Sequence, residues 1–278
     1  MKYGVNTLLW TAGFNRSDFG LLSSVKKAGL DGIEIARFDF AGFPAAEIRR
    51  ETERIGLETI LCSALTGDAS IITDDAGVRQ RSLSFLIDGI RVAAELGAKL
   101  FVGPFLSAVG LKHGRRRTRE EWQRGIDSLR SLGETLATHD VTMAVEPLNR
   151  FETYALNTAE DAFALCEAVG HPNIGILYDT FHGHIEEKDT GDAIRRTNKR
   201  LKHVHTCEND RGIPGSGQVR WDKVSAALSD VGYDGWLVIE SFGQNVPEIA
   251  AAACIWRDLA PTPESIMTDG LKFLRSRV

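Results

Sequence analysis

Four side chains with the chemistry of metal ligands recur at a nearly constant interval: Glu146, Asp179, His205 and Glu240, separated by 33, 26 and 35 residues. Each closes a short apolar run, in "VTMAVEP", "IGILYD", "KHVHT" and "WLVIES". Taken singly, each is an ordinary polar residue at a strand end, hydrogen-bonded or facing water. Together they mean more. Three carboxylates gathered in one place repel one another and need a positive charge between them. Three oxygen donors with one imidazole nitrogen suit a divalent cation of the Mn²⁺ or Mg²⁺ type better than a closed structural zinc site.

Other polar residues cluster around these four. His203 lies two residues before His205, on the same side of its strand but deeper, which favours a structural core histidine. His182, in "YDTFH", falls in a loop above the proposed centre. It is placed to touch substrate or to support a ligand, and substrate contact is the preferred reading. His184 reads as exposed loop. "HTCENDRGIPGSGQVRW", residues 205–221, sets glycines and a proline around Glu208 and Arg211, the composition of a shaped loop. A guanidinium there offers fixed donors to a hydroxyl-rich or anionic substrate, against the plainer alternative of a solvated arginine. Arg115 to Arg117 form a basic run that reads first as a solvated surface loop and second as a phosphate contact. Trp10 and Phe105, each just beyond a strand, are candidates for an apolar wall.

The elements that must position these residues alternate. Eight apolar, β-branched runs, at 2–7, 32–36, 58–63, 99–104, 141–147, 174–179, 202–206 and 236–241, are separated by segments of helical period. Leu83, Leu86, Ile87, Ile90 and Ala94 show that period, and Gly97 ends it. Parallel strands need long crossovers, and eight strand-then-helix units in 278 residues predict one α/β domain over 1–278, a single (β/α)8 TIM barrel. An open doubly wound sheet is the structural rival, but no GxGxxG follows the first strand. Residues 261–278, with Pro263 at a helix start, read as a final helix outside the barrel. In such a barrel the carboxyl ends of the strands build the site, which is where the four ligand-type residues fall.

Composition narrows the partners. A net charge of -5 argues against nucleic acid as the main partner, since phosphate binding leaves a basic footprint. With 43% hydrophobic and 26% charged residues the chain reads as an ordinary globular protein. There is no uninterrupted apolar run of membrane-spanning length and no leader pattern at "MKYGVNTLLW", so a cytoplasmic location is expected. Cys62, Cys166, Cys207 and Cys254 form no CxxC pair and read mostly as reduced, partly buried thiols.

From 143 to 243 the sequence resembles the ketose 3-epimerases, of the D-tagatose and D-psicose (allulose) 3-epimerase type, within the xylose isomerase-like barrels. "EPLNRFETY", "DTFHGHIEE", "HVHTCENDRGIPGSGQVRW" and "GWLVIESF" carry the resemblance; the first half shares only the repeat pattern and the "GVNTLLW" opening. The resemblance implies that Glu146, Asp179, His205 and Glu240 bind one divalent metal, Mn²⁺ first, with Mg²⁺ or Co²⁺ as alternatives. It implies that Glu152, His182 and Arg211 contact a sugar, and that the chain assembles as a homodimer or homotetramer. Where relatives often carry aromatic residues near the substrate, this chain has Asn6 and Leu8.

On that resemblance the expected reaction is inversion of a ketose at C3 through a cis-enediolate, with Glu146 and Glu240 as the acid–base pair. An aldose–ketose isomerase or an inosose dehydratase on the same scaffold is the nearer rival. A nuclease of the endonuclease IV type is the more distant one, because strands three and four end in "LCS" and "VGP" without histidine.

Overall fold

In the computed structural model, which describes residues 1–243 and 246–278, the eight runs form strands β1 (Lys2–Asn6), β2 (Gly32–Ala36), β3 (Glu58–Cys62), β4 (Leu100–Gly103), β5 (Thr142–Val145), β6 (Ile174–Asp179), β7 (Leu201–His205) and β8 (Trp236–Ile239). All neighbours pair in parallel and β8 returns to β1, closing the barrel in sequence order. The (β/α)8 architecture is thus as expected; β1, β3, β4, β5 and β8 are shorter than their apolar runs, β2 and β6 match theirs, and β7 is shifted by one residue. Glu146 and Glu240 stand one residue past their strands. The Glu146 N–H still donates to the Gly103 carbonyl at 3.0 Å, so the ladder's direction continues through it.

Alternation along the strands sorts the side chains into two layers. Val5, Ile33, Ile35, Leu61, Phe101, Met143, Val145, Ile176 and Val204 face outward and pack with the helices. Ala36, Ile60, Cys62, Val102, Ala144, Leu177 and Val238 pack together inside. Glu146, Asp179 and Glu240 each lie two residues beyond one of these inward side chains, and His205 two beyond the buried His203. The parity that fills the barrel therefore also aims four ligand-type groups into its mouth.

The helices have local causes. Residues Ala76–Leu96 start at Asp75, whose carboxylate accepts from the N–H groups of Gly77 and Val78, and stop at Gly97 with φ 80. Thr118 and Glu121 form a capping box for Arg119–Ser131. Thr262 caps Pro263–Arg277, the expected final helix. At the amino end of the barrel Trp236 turns inward over two glycines in register, Gly4 and Gly32. A Cβ on Gly32 would lie 2.4 Å from the indole, so glycine is required for the ring to fill that end. Among the described residues no helix is long and apolar enough to cross a membrane.

Candidate metal centre and sugar site

Glu146, Asp179, His205 and Glu240 converge at the carboxyl end of the barrel, all buried, with one ligand atom from each within 4.8 Å of the others. His205 Nδ1 sits among them, 3.5 Å from Glu240 Oε1 and 3.8 Å from both Glu146 Oε1 and Asp179 Oδ2. It is buried without a hydrogen-bond partner. A cation with ligands at about 2.1 Å spaces neighbouring donors about 3 Å apart and opposite donors about 4.2 Å apart. The observed separations fall in and near that range, and an orphaned buried nitrogen facing three carboxylates needs a cation or a proton between them. The four residues are placed to hold a metal ion.

The electrostatics express the same demand. Burial pushes Glu146 well above the usual carboxylate range, with Glu240 and Asp179 adding to the rise against the opposing pull of His205. Glu240 is buried too, yet His205 and Arg211 overcome the desolvation and hold it down at about 2. Burial favours a neutral His205 ring, but Glu240 and Glu34 prevail and raise it well above the ordinary imidazole value. A divalent cation bound there would take the place of that proton.

Arg211 comes from the loop after β7 and supplies part of the missing positive charge. Its Nη1 donates to Asp179 Oδ2 at 2.7 Å, to Glu240 Oε2 at 2.8 Å and to Cys207 Sγ at 2.9 Å. The guanidinium lies 4.0 Å from the Phe181 ring centre and 4.8 Å from that of Phe242. Its backbone is left-handed, φ 66, a conformation that costs a non-glycine residue about 1–2 kcal/mol. Glu208 holds the loop in shape: its carboxylate accepts from the N–H groups of Asn209, Gly215 and Val219 and from Trp221 Nε1. The solvated-arginine alternative fails, because Arg211 is buried.

His182 is not in a loop as expected but on a short helix, Thr180–Glu186, whose Phe181 N–H is capped by Asp179 Oδ1. Its Nδ1 accepts from the Asn149 N–H at 3.1 Å, and burial pushes its pKa down to about 3, so the ring is neutral with the proton on Nε2. That N–H and the Arg211 Nη2 are 3.1 Å apart. The Arg211 N–H is aimed at Nε2, so the two donors oppose each other, and an oxygen acceptor between them relieves that opposition. Glu152 follows the turn at Pro147 to Asn149, with Oε1 accepting from Asn149 Nδ2 at 2.7 Å; burial raises its pKa. Glu146, Glu152, His182, Arg211 and Glu240 all line one cavity of about 370 Å³.

Several expectations need correction. His184 is half-buried on the same helix as His182, not exposed loop. Phe105 faces the helix layer and stacks on Phe101, and the Trp10 indole bonds Glu264, so neither forms the cavity wall. Leu8, Phe38, Leu148, Phe181, Phe242 and Ile249 do. Asn6 is turned inward onto a carboxylate that the sequence reading missed, Glu34, in the middle of β2. Glu34 Oε1 accepts from His205 Nε2 at 2.8 Å, and Oε2 lies 2.7 Å from His203 Nε2 without hydrogen-bond alignment. His203 is a core histidine as expected, but with an acid beside it. The signal for Glu34 was present: one charge in "GIEIA", a strand otherwise without polar side chains. Arg115 grips Glu121 and Arg117 stacks on Trp122; none of Arg115 to Arg117 lines the cavity. Cys62, Cys166 and Cys207 are buried free thiols, and Cys254 is exposed.

A closed (β/α)8 barrel with an acidic, histidine-containing centre at its carboxyl mouth defines the class: a barrel built to hold a metal ion beside a small polar ligand. Comparison with known proteins narrows this. Residues 22–277 match the model of the xylose isomerase-like TIM barrel family. The chain is 37% identical over 275 residues to the "Probable ketose 3-epimerase" of Synechocystis sp., covering 99% of this chain and 96% of that protein. It is 31% identical over 261 residues to the L-ribulose 3-epimerase of Mesorhizobium japonicum, covering 93% and 88%. Its fold superposes with a TM-score of 0.94 on the crystal structure of a D-allulose 3-epimerase from Methylomonas sp. in complex with D-allulose, at 25% identity and covering 100% and 97%. The chain belongs to the xylose isomerase-like TIM barrel family, among its ketose 3-epimerases, and is an enzyme of the isomerase class.

Proposed function

We propose that the chain interconverts free ketoses at C3, and that Glu146 and Glu240 are its acid–base pair. One observation carries the reading. Two buried carboxylates on non-adjacent strands, Glu146 and Glu240, flank His205 Nδ1 at 3.8 and 3.5 Å and line one cavity. Inversion at C3 removes a proton beside the C2 carbonyl and returns one to the opposite face, which requires two such groups.

Glu146, Asp179, His205 and Glu240 would hold one divalent cation, Mn²⁺ in first place and Mg²⁺ or Co²⁺ as alternatives. Such an ion supplies Lewis acidity that stabilises the negative charge developing on the ketose oxygens. Glu240 or Glu146, according to the direction of reaction, takes the C3 proton from one face of the ketose, and the other delivers a proton to the opposite face of the cis-enediolate. Asp179 and His205 serve as ligands only. The paired donors His182 Nε2 and Arg211 Nη2 hold the carbonyl end, Glu152 bonds the O1 or O2 end, and together they stop the planar intermediate from turning over.

The cavity also favours a free sugar over a sugar phosphate. Among its described lining residues Arg211 is the one permanent cation, and two carboxylates already engage it. The test is incubation of the metal-loaded protein with fructose, psicose, tagatose and sorbose in D2O. Deuterium at C3 is expected with at least one of them. Absence of exchange with every ketose, phosphorylated or not, sinks the reading, and an aldose product reassigns the chemistry to an aldose–ketose isomerase.

A further inference from the structure

Glu34 is fully buried in β2, is none of the four ligand-type residues at the mouth, and touches His205 from behind. We propose that Glu34 is a positioning residue, fixing the tautomer and ring plane of His205, and that Asn6 in turn fixes Glu34. The inference rests on the reading of His205 as a metal ligand.

An ionised carboxylate only accepts hydrogen bonds, so the 2.8 Å contact from His205 Nε2 to Glu34 Oε1 puts the imidazole proton on Nε2. The lone pair is then on Nδ1, the atom that faces Glu146, Asp179 and Glu240. The opposite tautomer would present an N–H where a cation needs a donor pair. Glu34 is itself held in place. Asn6 Nδ2 donates to the same Oε1 at 2.6 Å, and Asn6 Oδ1 accepts from the Leu8 N–H at 2.8 Å, which settles the orientation of the amide. The other oxygen rests 2.7 Å from His203 Nε2. None of these side chains reaches solvent, so no water competes for the contacts. A relay thus runs from the backbone after β1 through Asn6 and Glu34 to the nitrogen at the centre. A histidine ligand whose second nitrogen is held by a carboxylate commonly loses about 10- to 100-fold in metal affinity when that carboxylate is removed.

Two simpler roles compete. One makes Glu34 a mere counter-charge to His205; the other makes Glu34, His203 and His205, whose ligand atoms also lie within 4.8 Å of one another, a second cation site. Calorimetric titration of the metal-free protein with Mn²⁺ separates them, with Tm as a control for folding and rescue by the conservative variant as the mark of positioning. Expected for Glu34→Ala is an affinity loss of about 10- to 100-fold. In Glu34→Gln an amide oxygen still accepts from Nε2, so the tautomer and an affinity within about threefold of wild type are retained. Asn6→Ala is expected to lose roughly three- to tenfold, and keeps the test alive if Glu34→Ala does not fold. A folded Glu34→Ala, or an Asn6→Ala, that binds Mn²⁺ like wild type overturns the relay, and so does a stoichiometry of two ions per chain. Because the readout is metal affinity, a wild type that exchanges no ketose counts against the proposed reaction and leaves the relay standing.

Discussion

Arg211 Nη1 lies 2.7 Å from Asp179 Oδ2 and so shares with any bound cation a carboxylate oxygen that faces the centre. Two positive charges then draw on one set of acids. Removing the guanidinium should strengthen cation binding and weaken sugar binding, opposite signs from one substitution. For Arg211→Ala we expect Mn²⁺ affinity to rise by at least ~5-fold and kcat/KM for the ketose to fall by about 10- to 100-fold. Calorimetry and steady-state kinetics on one preparation check both.

Glu240→Gln keeps the size of the side chain and removes its basicity. Exchange of the C3 proton should fall by about 10²- to 10⁴-fold, the usual contribution of a positioned acid–base group. Retained exchange, read by NMR in D2O, would refute the two-carboxylate mechanism. Glu146→Gln should abolish exchange and also weaken Mn²⁺ binding.

Glu152 stands above the centre, not on it, held by Asn149 rather than by a ligand residue. Glu152→Gln should therefore leave Mn²⁺ affinity unchanged while kcat/KM falls by about 10- to 100-fold, equivalent to one hydrogen bond to a charged group. Loss of metal from this variant would show that the division of labour within "EPLNRFETY" is wrong.

Glu121 gives a pH prediction away from the centre. Its hydrogen bonds from Arg115, and then from Thr118 and Tyr154, outweigh desolvation and lower its pKa to about 2. The folded value lies below the unfolded one of roughly 4.3, so the unfolded chain binds the proton first and the stabilisation is complete above that pH. It is lost as pH falls from about 4.3 toward 2. Arg115 is half exposed and screened, which limits the contribution to about 1 kcal/mol. Thermal unfolding of wild type and Glu121→Gln should differ at pH 7 and converge near pH 2.

Much of this was legible in the sequence for one reason: period two. Once "VTMAVEP" and "WLVIES" are strands, the inward parity of Ala144 and Val238 dictates that Glu146 and Glu240 point into the mouth. The same rule, applied consistently, also places Phe105 outside, since it shares parity with Phe101; apolar character alone cannot distinguish the two faces of a strand buried on both sides. His182 was misplaced because a seven-residue helix capped by Asp179 leaves too short a periodic signal to separate from a loop. Glu34 was legible but unread. A carboxylate in a five-residue strand buried throughout must have partners, and one of them, His205, lies 171 residues away in sequence, a pairing that local pattern does not show.

Trp236, lying over Gly4 and Gly32, stoppers the barrel at its amino end. Among the described residues the barrel is thus closed at that end, and reactant and product use the carboxyl mouth in turn. No molecule can be handed through the barrel from one side to the other. Each epimer must compete with its partner for admission, so the composition of the surrounding sugar pool, and not the enzyme, sets the direction of net flow.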